Sequence, residues 1–448
     1  MRDSGPGTPL PAEYLPTFRR HLVYALLNAA AAGILANAPM MALKALSGPS
    51  WQMVLQMTIS SIGMFLVLYL GGAMAERPKM PWVVVPGLVC AGTCFGMAMT
   101  RNVFLFLTLS GLGALFENVA SPAMTAIIRS NYPATHRGAA TGTIRGWCSV
   151  TFLASCLLSA WLLDQAPKTA ERMIPAQLAA AGALWAIGVL AFSTIRVRGE
   201  VETRSSLVQG LGRPLREAWD IGKRDDRFRR YLGIGLLYSF GGMIFASFIP
   251  VLATKDLKCT YLVSTLLVHG IPGIVAFFST GIIGRWIDRT NPWQSWRWIR
   301  LGWGLDPLLL AATPAIMAWS PPMALAVASL ARVVRGTVMG GSWILWWQLG
   351  VNHFAPLGSD TARYQGMVLF INGFARLLGP LVGAWVLLAG RIEGVFVLGG
   401  LVVLLSALLS SRELARERKD ARLATMARFE AQGAQACPES TAPSPTQQ

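Results

Sequence analysis

Gly72-Ala-Met-Ala-Glu76-Arg77 follows one long apolar run, and Gly284-Arg-Trp-Ile-Asp288-Arg289 follows another at the matching place in the second half of the chain. Both have the form Gly-x-x-x-acid-Arg. A glycine lets two helices approach closely, and a carboxylate at a helix end can sit against the positive N-terminus of a neighbour while pairing with an arginine. One such loop is ordinarily a solvated charge pair. Its recurrence points to a chain built twice, with a contact that can hold one arrangement of helices and release in another.

Outward from these loops, apolar runs of about 20 residues repeat along the sequence, each long enough to cross a hydrocarbon core of about 30 Å as a helix that satisfies its own backbone. Twelve are predicted. They lie at 21–43, 51–74, 81–100, 103–128, 141–163 and 174–195 in the first half, and at 231–253, 261–284, 301–319, 322–346, 365–389 and 394–410 in the second. The expected fold class is therefore all-α integral membrane, with twelve transmembrane helices in two pseudo-symmetric six-helix bundles. The run from Leu22 contains Ala36-Asn37-Ala38, the small-residue pattern of a signal-peptide cleavage site, but continues past Met41 and is expected to be a full span.

The expected organisation is a cytoplasmic N-terminal segment (1–20), a first bundle (21–195), a cytoplasmic connector (196–230), a second bundle (231–410) and a cytoplasmic tail (411–448). The connector mixes Arg213, Arg216, Lys223 and Arg224 with Glu200, Glu202, Asp225 and Asp226. The tail carries a charged helical stretch, Arg412 to Arg428, and a Pro/Ser/Thr/Gln-rich end too poor in apolar residues to fold.

A net charge of +17 would suit a nucleic-acid binder if the basic residues formed a folded face, but 53% apolar and 14% charged residues describe a chain partly solvated by lipid. With both termini and the connector inside, about 28 of the Lys and Arg residues fall on the inner side and about 7 on the outer, as the positive-inside rule demands. Topology accounts for the basicity, and no nucleic-acid partner is expected. Cys90, Cys94, Cys148 and Cys156 lie inside apolar runs while Cys259 and Cys437 are far apart, so free thiols are expected rather than a disulfide framework. No Walker-type phosphate loop, His-Glu-x-x-His or Gly-x-Ser-x-Gly occurs, and no enzyme, cofactor or bound metal is expected.

The paired loops resemble the signature loop of the major facilitator superfamily, and the resemblance spans the chain from the first run to the twelfth. The fourth run ends at Tyr132-Pro-Ala-Thr-His-Arg137-Gly138 and the tenth is followed by Asp360-Thr-Ala-Arg363-Tyr-Gln-Gly366, both similar to the superfamily's basic turn. The tenth run holds Arg332-x-x-x-Gly336-x-x-x-Gly340, similar to the superfamily's arginine motif, whose better-known copy is in the fourth. There this chain has Gly111 but Leu107 in the arginine's place. The first loop also departs from the pattern, with Glu76 for aspartate and Pro78 behind Arg77. The eleventh run, Gly373-Phe-Ala-Arg376-Leu-Leu-Gly379-Pro380, looks like the exporters' Gly-Pro motif but lies in the other half, so it gives no evidence of export. The resemblance implies a secondary transporter, with Gly72, Glu76, Arg77, Gly284, Asp288, Arg289, Arg137 and Arg363 as gating-loop residues.

An ionisable group at bilayer depth costs several kcal/mol unless paired or wetted, so each one is a candidate functional group. Glu117 lies mid-way along the fourth run, Arg145 in the fifth, Asp306 in the ninth, Arg332 and Arg335 in the tenth, and Arg376 in the eleventh. Arg332 and Arg335, three apart, share a helical face. Two readings follow. Either Glu117 and Asp306 neutralise arginines as structural pairs, or Glu117 takes up and releases a proton while Arg332, Arg335, Arg376 and Arg145 bind an anionic group of the solute. Four arginines against two acids lean toward an anionic solute.

The sequence thus predicts a multi-pass protein of a plasma or bacterial inner membrane. As a monomer it would move a small organic solute, with protons as coupling ion, by rocking one half against the other. Rival readings are an exporter of lipophilic compounds, a metal-ion transporter resting on Cys90, Cys94, Met97 and Met99, and a non-transporting sensor or assembly partner. His269 is expected to be a hydrogen-bonded packing residue, and Trp293, Trp296, Trp298, Trp343, Trp346 and Trp347 an interfacial belt, with one or two able to line a cavity.

Overall fold

The computed structural model describes residues 11–75, 77–165, 170–197, 220, 222–345, 354 and 361–435. The first half holds α1 (Leu15–Leu35, continued by a short helix Ala38–Lys44), α2 (Val54–Ala75), α3 (Pro81–Met99), α4 (Val103–Asn131), α5 (Ala134–Gln165) and α6 (Ala170–Ser193). The second holds α7 (Asp226–Ala246), α8 (Tyr261–Ile287), α9 (Pro292–Met317), α10 (Pro321–Ile344), α11 (Thr361–Ala389) and α12 (Ile392–Gln435). Among the described residues ten helical segments are long and apolar enough to cross a membrane. The other two, α2 with 22 residues and α9 with 26, reach about 33 and 39 Å at 1.5 Å per residue.

Local chemistry sets the helix starts. Pro81, Pro292 and Pro321 occupy first helical positions, where a missing N–H costs nothing. Asn102 caps α4 by accepting from Leu105 N (3.1 Å), Asp225 caps α7 through Phe228 N (2.9 Å), and Asn291 caps α9 through Trp293 N (2.8 Å).

Packing repeats between the halves. In the first, α1 lies on α5 and α6, α2 on α4, and α3 on α4 and α6. In the second, α7 lies on α11 and α12, α8 on α10, and α9 on α10 and α12, which is the same set advanced by six helices. The two halves meet through the exchanged pair α2 on α11 and α5 on the start of α8. Gly111 and Gly336 are the clearest matched positions. A Cβ on Gly111 would meet Ile59 of α2 at 2.8 Å, and one on Gly336 would meet Val275 and the Pro272 carbonyl of α8 at 2.7 and 2.8 Å. Both helix pairs touch through a missing side chain, the small-residue packing that lipid-embedded helices favour.

The structure adds to the sequence expectations at three places. α9 starts at Pro292, about two turns before the apolar run at 301, and so carries Arg300 into the bundle. Trp293 and Trp296 are buried between helices, Trp298 is half exposed, and the side chains of Trp343, Trp346 and Trp347 lie outside the described residues. The charged stretch Arg412 to Arg428 is helical as expected, and it continues α12 without a break as one 44-residue helix to Gln435.

Candidate functional site

α4 exposes one narrow face through its middle and lower part. Glu117, Ser121 and Thr125, spaced by four, are exposed, while Leu107, Leu115, Val119 and Ala123 are buried. A polar exposed stripe does not suit lipid. Glu117 lines a cavity of about 250 Å³ whose walls include Leu35 of α1, Gln56 of α2, Cys90, Thr93 and Cys94 of α3, Ser110 of α4, Phe152 of α5 and Trp185 of α6. Its carboxylate has no hydrogen bond or ion pair among the described residues; Tyr24 and Cys90 are within Coulombic reach of it.

α5 has two exposed faces. Trp147, Val150, Leu158 and Trp161 form an apolar one suited to lipid. On the other, Arg145 and Ser149 are exposed, and the space beside Gly142 and Gly146 is open. Phe152, two turns beyond Arg145 on this second face, reaches the Glu117 cavity. α11 presents Phe374, Leu378, Leu381, Trp385 and Leu388 outward. Arg376 lies on the opposite, inward side and is partly exposed, with no hydrogen bond or ion pair among the described residues.

The other embedded charges are gathered together. Arg332 of α10 is 2% exposed and donates to Asp306 of α9, which is fully buried. Arg335 reaches the second oxygen of Asp306 at 3.9 Å and lies over the Trp303 ring, 3.1 Å from its centroid. Such stacking is a favourable place for a desolvated guanidinium. Arg300 is absent from the sequence-based candidates. It is fully buried, donates to Ser410 of α12, and packs over Trp296 (4.6 Å) and Tyr238 (5.6 Å). Its signal is the Asn291-Pro292 helix start, which places Arg300 about two turns inside α9. Asp306 thus serves the structural pairing with Arg332 and Arg335, while Glu117 has no ion pair with an arginine among the described residues.

At the end of the molecule far from the connector, polar contacts bind one half to the other. The Asp164 carboxylate at the end of α5 accepts from the backbone N–H groups of Tyr261 (2.7 Å) and Leu262 (2.8 Å) at the start of α8. Lys44 donates to the Cys259 carbonyl, and Lys255 to that of Gly48 at 3.0 Å. Deeper in, Thr265 Oγ1 donates to Asn37 Oδ1 (2.7 Å), and His269 Nε2 faces the Ala36 carbonyl at 3.3 Å with its ring edge-on to Phe152. His269 sits in a π-helical turn, Leu266–Gly270, a distortion that tends to mark functional segments. Polar residues at run ends read as interfacial in a sequence, so Asp164, Lys44 and Lys255 give no warning there.

Of the gating-loop residues, Asp288 and Arg289 are exposed at the end of α8, beyond Gly284. Arg77 lies in a turn tied by Lys79, whose Nζ donates to the carbonyls of Met74 and Arg77 at 2.5 Å. Glu76 lies outside the described residues, as do the side chains of Arg137 and Arg363; the backbone at Gly72 belongs to α2. Among the described residues no group of three His, Cys, Asp or Glu could hold a metal ion, and Met99 points outward, away from Cys90, Cys94 and Met97.

Residues 21–359 match the sequence model of the Major Facilitator Superfamily. The chain belongs to that superfamily. A search of curated proteins found no match. Solved structures share the fold at low identity. The nucleoside transporter NupG has a TM-score of 0.64 at 17% identity, covering 89% of this chain and 98% of its own. A D-xylose-proton symporter has 0.64 at 13%, covering 89% and 97%. A bacterial homolog of the human lysosomal transporter Spinster, inward-facing and unoccupied, has 0.60 at 14%, covering 90% and 96%. Membership of that superfamily makes the protein a multi-pass membrane transporter and not an enzyme.

Proposed function

We propose that the protein couples movement of a small organic solute to protons, with Glu117 as the group that takes up and releases the proton. The observation that carries this is an unpaired carboxylate on the polar, exposed stripe of α4, inside a cavity. A carboxylate kept at membrane depth without a cation is costly unless it can be neutralised by a proton or by a bound group. That one structural neighbour is a proton symporter agrees with this reading without deciding it.

Residues 21–195 and 231–410 rock about the central space. The contacts of Asp164, Lys44, Lys255, Asn37 and His269 close the far end, while Ser121, Thr125, Gly142 and Gly146 leave a path toward the connector. With the termini and connector in the cytoplasm, as the Lys and Arg distribution favours, this arrangement is the inward-open one. The loops around Arg77 and Asp288-Arg289 then close the inner side in the alternate state. Arg332 and Arg335, tied to Asp306, are less available than Arg145 and Arg376, which are the better candidates for an anionic group of the solute.

The test is a thermal-stability screen of purified protein against organic anions, cations, zwitterions and sugars, in wild type and Glu117→Gln. A ligand at about 100 times its dissociation constant adds about 2.7 kcal/mol. A ligand whose stabilisation changes with pH in wild type and not in Glu117→Gln supports the proposal. An unchanged pH dependence in the variant removes Glu117 from the coupling.

A further inference from the structure

A second crevice, of about 890 Å³, lies apart from the Glu117 cavity, between the start of α7, the start of α9 and the charged stretch of α12. That stretch carries two stripes. Glu413, Glu417 and Asp420, spaced by four and three, share one side of the helix; Arg412, Arg416, Lys419 and Leu423, spaced by four, three and four, share the side next to it. All but Arg412 line the crevice. Two of the acids tie α12 to its neighbours: Glu417 accepts from Arg227 (2.8 Å), Asn291 (3.1 Å) and Trp293 Nε1 (3.0 Å), and Glu413 from Arg230 (2.9 Å) and Arg416 (2.7 Å). The basic stripe is left over. Arg412 and Lys419 are exposed, with no hydrogen bond or ion pair among the described residues, and Arg416, 65% exposed, engages Glu413 through Nη1. Across 226–230 and 412–422, eight arginines and lysines stand against four acids, and three cations in line at spacings of four and three repel one another unless an anion lies between them.

We infer that this crevice binds the headgroup of an anionic phospholipid, with the phosphate on Arg416 and Lys419 and Arg412 at the membrane edge. The inference goes beyond the proton-coupled reading and does not depend on which solute is carried. Depth is what selects a lipid. The apolar run of α12 ends at Leu409 and that of α7 begins at Tyr231, so the hydrocarbon boundary falls near Ser411 on one helix and Arg230 on the other. At 1.5 Å per residue Arg412 and Arg416 stand about 2 and 8 Å beyond Ser411, at the level of a headgroup layer about 5–8 Å thick, and Lys419 about 12 Å beyond it. Side chains on a helix tilt toward its N-terminus, which for α12 means back toward the bilayer, and the lysine stem spans the remaining distance. Trp298 of α9, half exposed with Arg297 over its ring at 4.9 Å, stands at the same boundary. Arginine grips a phosphate through paired N–H donors, and lysine adds a mobile point charge. With this end in the cytoplasm, as the basic residues favour, the crevice opens on the leaflet richer in anionic lipid.

The experiment uses the full chain in detergent and follows its thermal unfolding midpoint during titration with phosphatidylglycerol, phosphatidylcholine, glycerol phosphate and inorganic phosphate. Arg416→Gln with Lys419→Gln removes the stripe and leaves Glu413 its bond to Arg230. Arg418→Gln with Arg422→Gln removes the same charge from the opposite side of the helix. The expected result is that phosphatidylglycerol stabilises wild type at concentrations at least about tenfold lower than phosphatidylcholine does. The first double variant should lose that preference and the second should keep it. Lys419→Gln alone breaks no contact among the described residues and should already weaken the preference, so the test holds even if the first double variant folds poorly. The inference is overturned if the two lipids stabilise wild type alike, if the preference survives in Lys419→Gln and in the first double variant, or if both double variants lose it equally, which is the mark of general surface charge. Stabilisation by glycerol phosphate or inorganic phosphate at the same concentration as phosphatidylglycerol also overturns it, and assigns the crevice to a soluble anion.

Discussion

α4 and α10 hold equivalent places in the two halves and have been given opposite tasks. Each is pressed against its neighbour through a glycine, Gly111 on α2 and Gly336 on α8. Four residues before that glycine, α4 has Leu107, fully buried, whereas α10 has Arg332, buried against Asp306. One half closes the slot with hydrocarbon; the other fills it with an ion pair and stacks a second arginine on Trp303. The first half in turn keeps an embedded acid, Glu117, in a cavity, without an ion pair among the described residues. A repeated scaffold can therefore divide its labour: charges that are tied down hold a bundle together, and a charge left free is available for chemistry.

The comparison breaks most severely at Asp306. Asp306→Ala leaves Arg332 buried and unpaired and should destabilise the protein by about 3–5 kcal/mol, read as the shift in unfolding midpoint in detergent. Changing Asp306 and Arg332 together to leucine copies the Leu107 solution and should recover part of that loss, with Arg335 keeping its stacking on Trp303. If the single and double variants unfold alike, the pair is not what holds α9 to α10.

Next comes the matched glycine contact. Gly336→Ala pushes a methyl group into Val275 and the Pro272 backbone and should cost about 1–3 kcal/mol, with Gly111→Ala costing somewhat less because its nearest backbone atom is farther away. A neutral Gly336→Ala would show that α8 and α10 can part freely.

A smaller effect is expected where the halves touch. Asp164→Asn weakens two charge-assisted bonds to the start of α8, and about 1.4 kcal/mol would open the far end tenfold more often. Cys259, buried beside that contact, reports it directly. Its reaction with a bulky thiol reagent should speed up by about that factor, and an unchanged rate would mean that Asp164 does not hold the far end shut.

Glu117→Gln should move stability least, by about 0.5 kcal/mol or less, because no partner is lost. A destabilisation as large as that of Asp306→Ala would erase the contrast between the two acids.

Much of this architecture is legible in the sequence because membrane helices must satisfy their own backbones within a fixed thickness. The apolar runs, the doubled Gly-x-x-x-acid-Arg loops and the embedded charges follow from that constraint. Arg300 escapes such a reading because hydropathy begins α9 at Leu301, while the Asn291-Pro292 start begins it earlier. The fates of Glu117 and Asp306 are not separable in sequence, since an acid and an arginine in different runs are partners only if the helices bring them together. Asp164 shows the same limit: its partners are backbone N–H groups about 97 positions away, and a backbone donor leaves no mark in composition.

The most direct test of the account is proton-driven accumulation in proteoliposomes, using a solute found by stability screening, in wild type and Glu117→Gln. The account predicts that wild type accumulates the solute under an imposed proton gradient and that Glu117→Gln, unable to exchange a proton, does not. Accumulation by Glu117→Gln at the wild-type rate would contradict it.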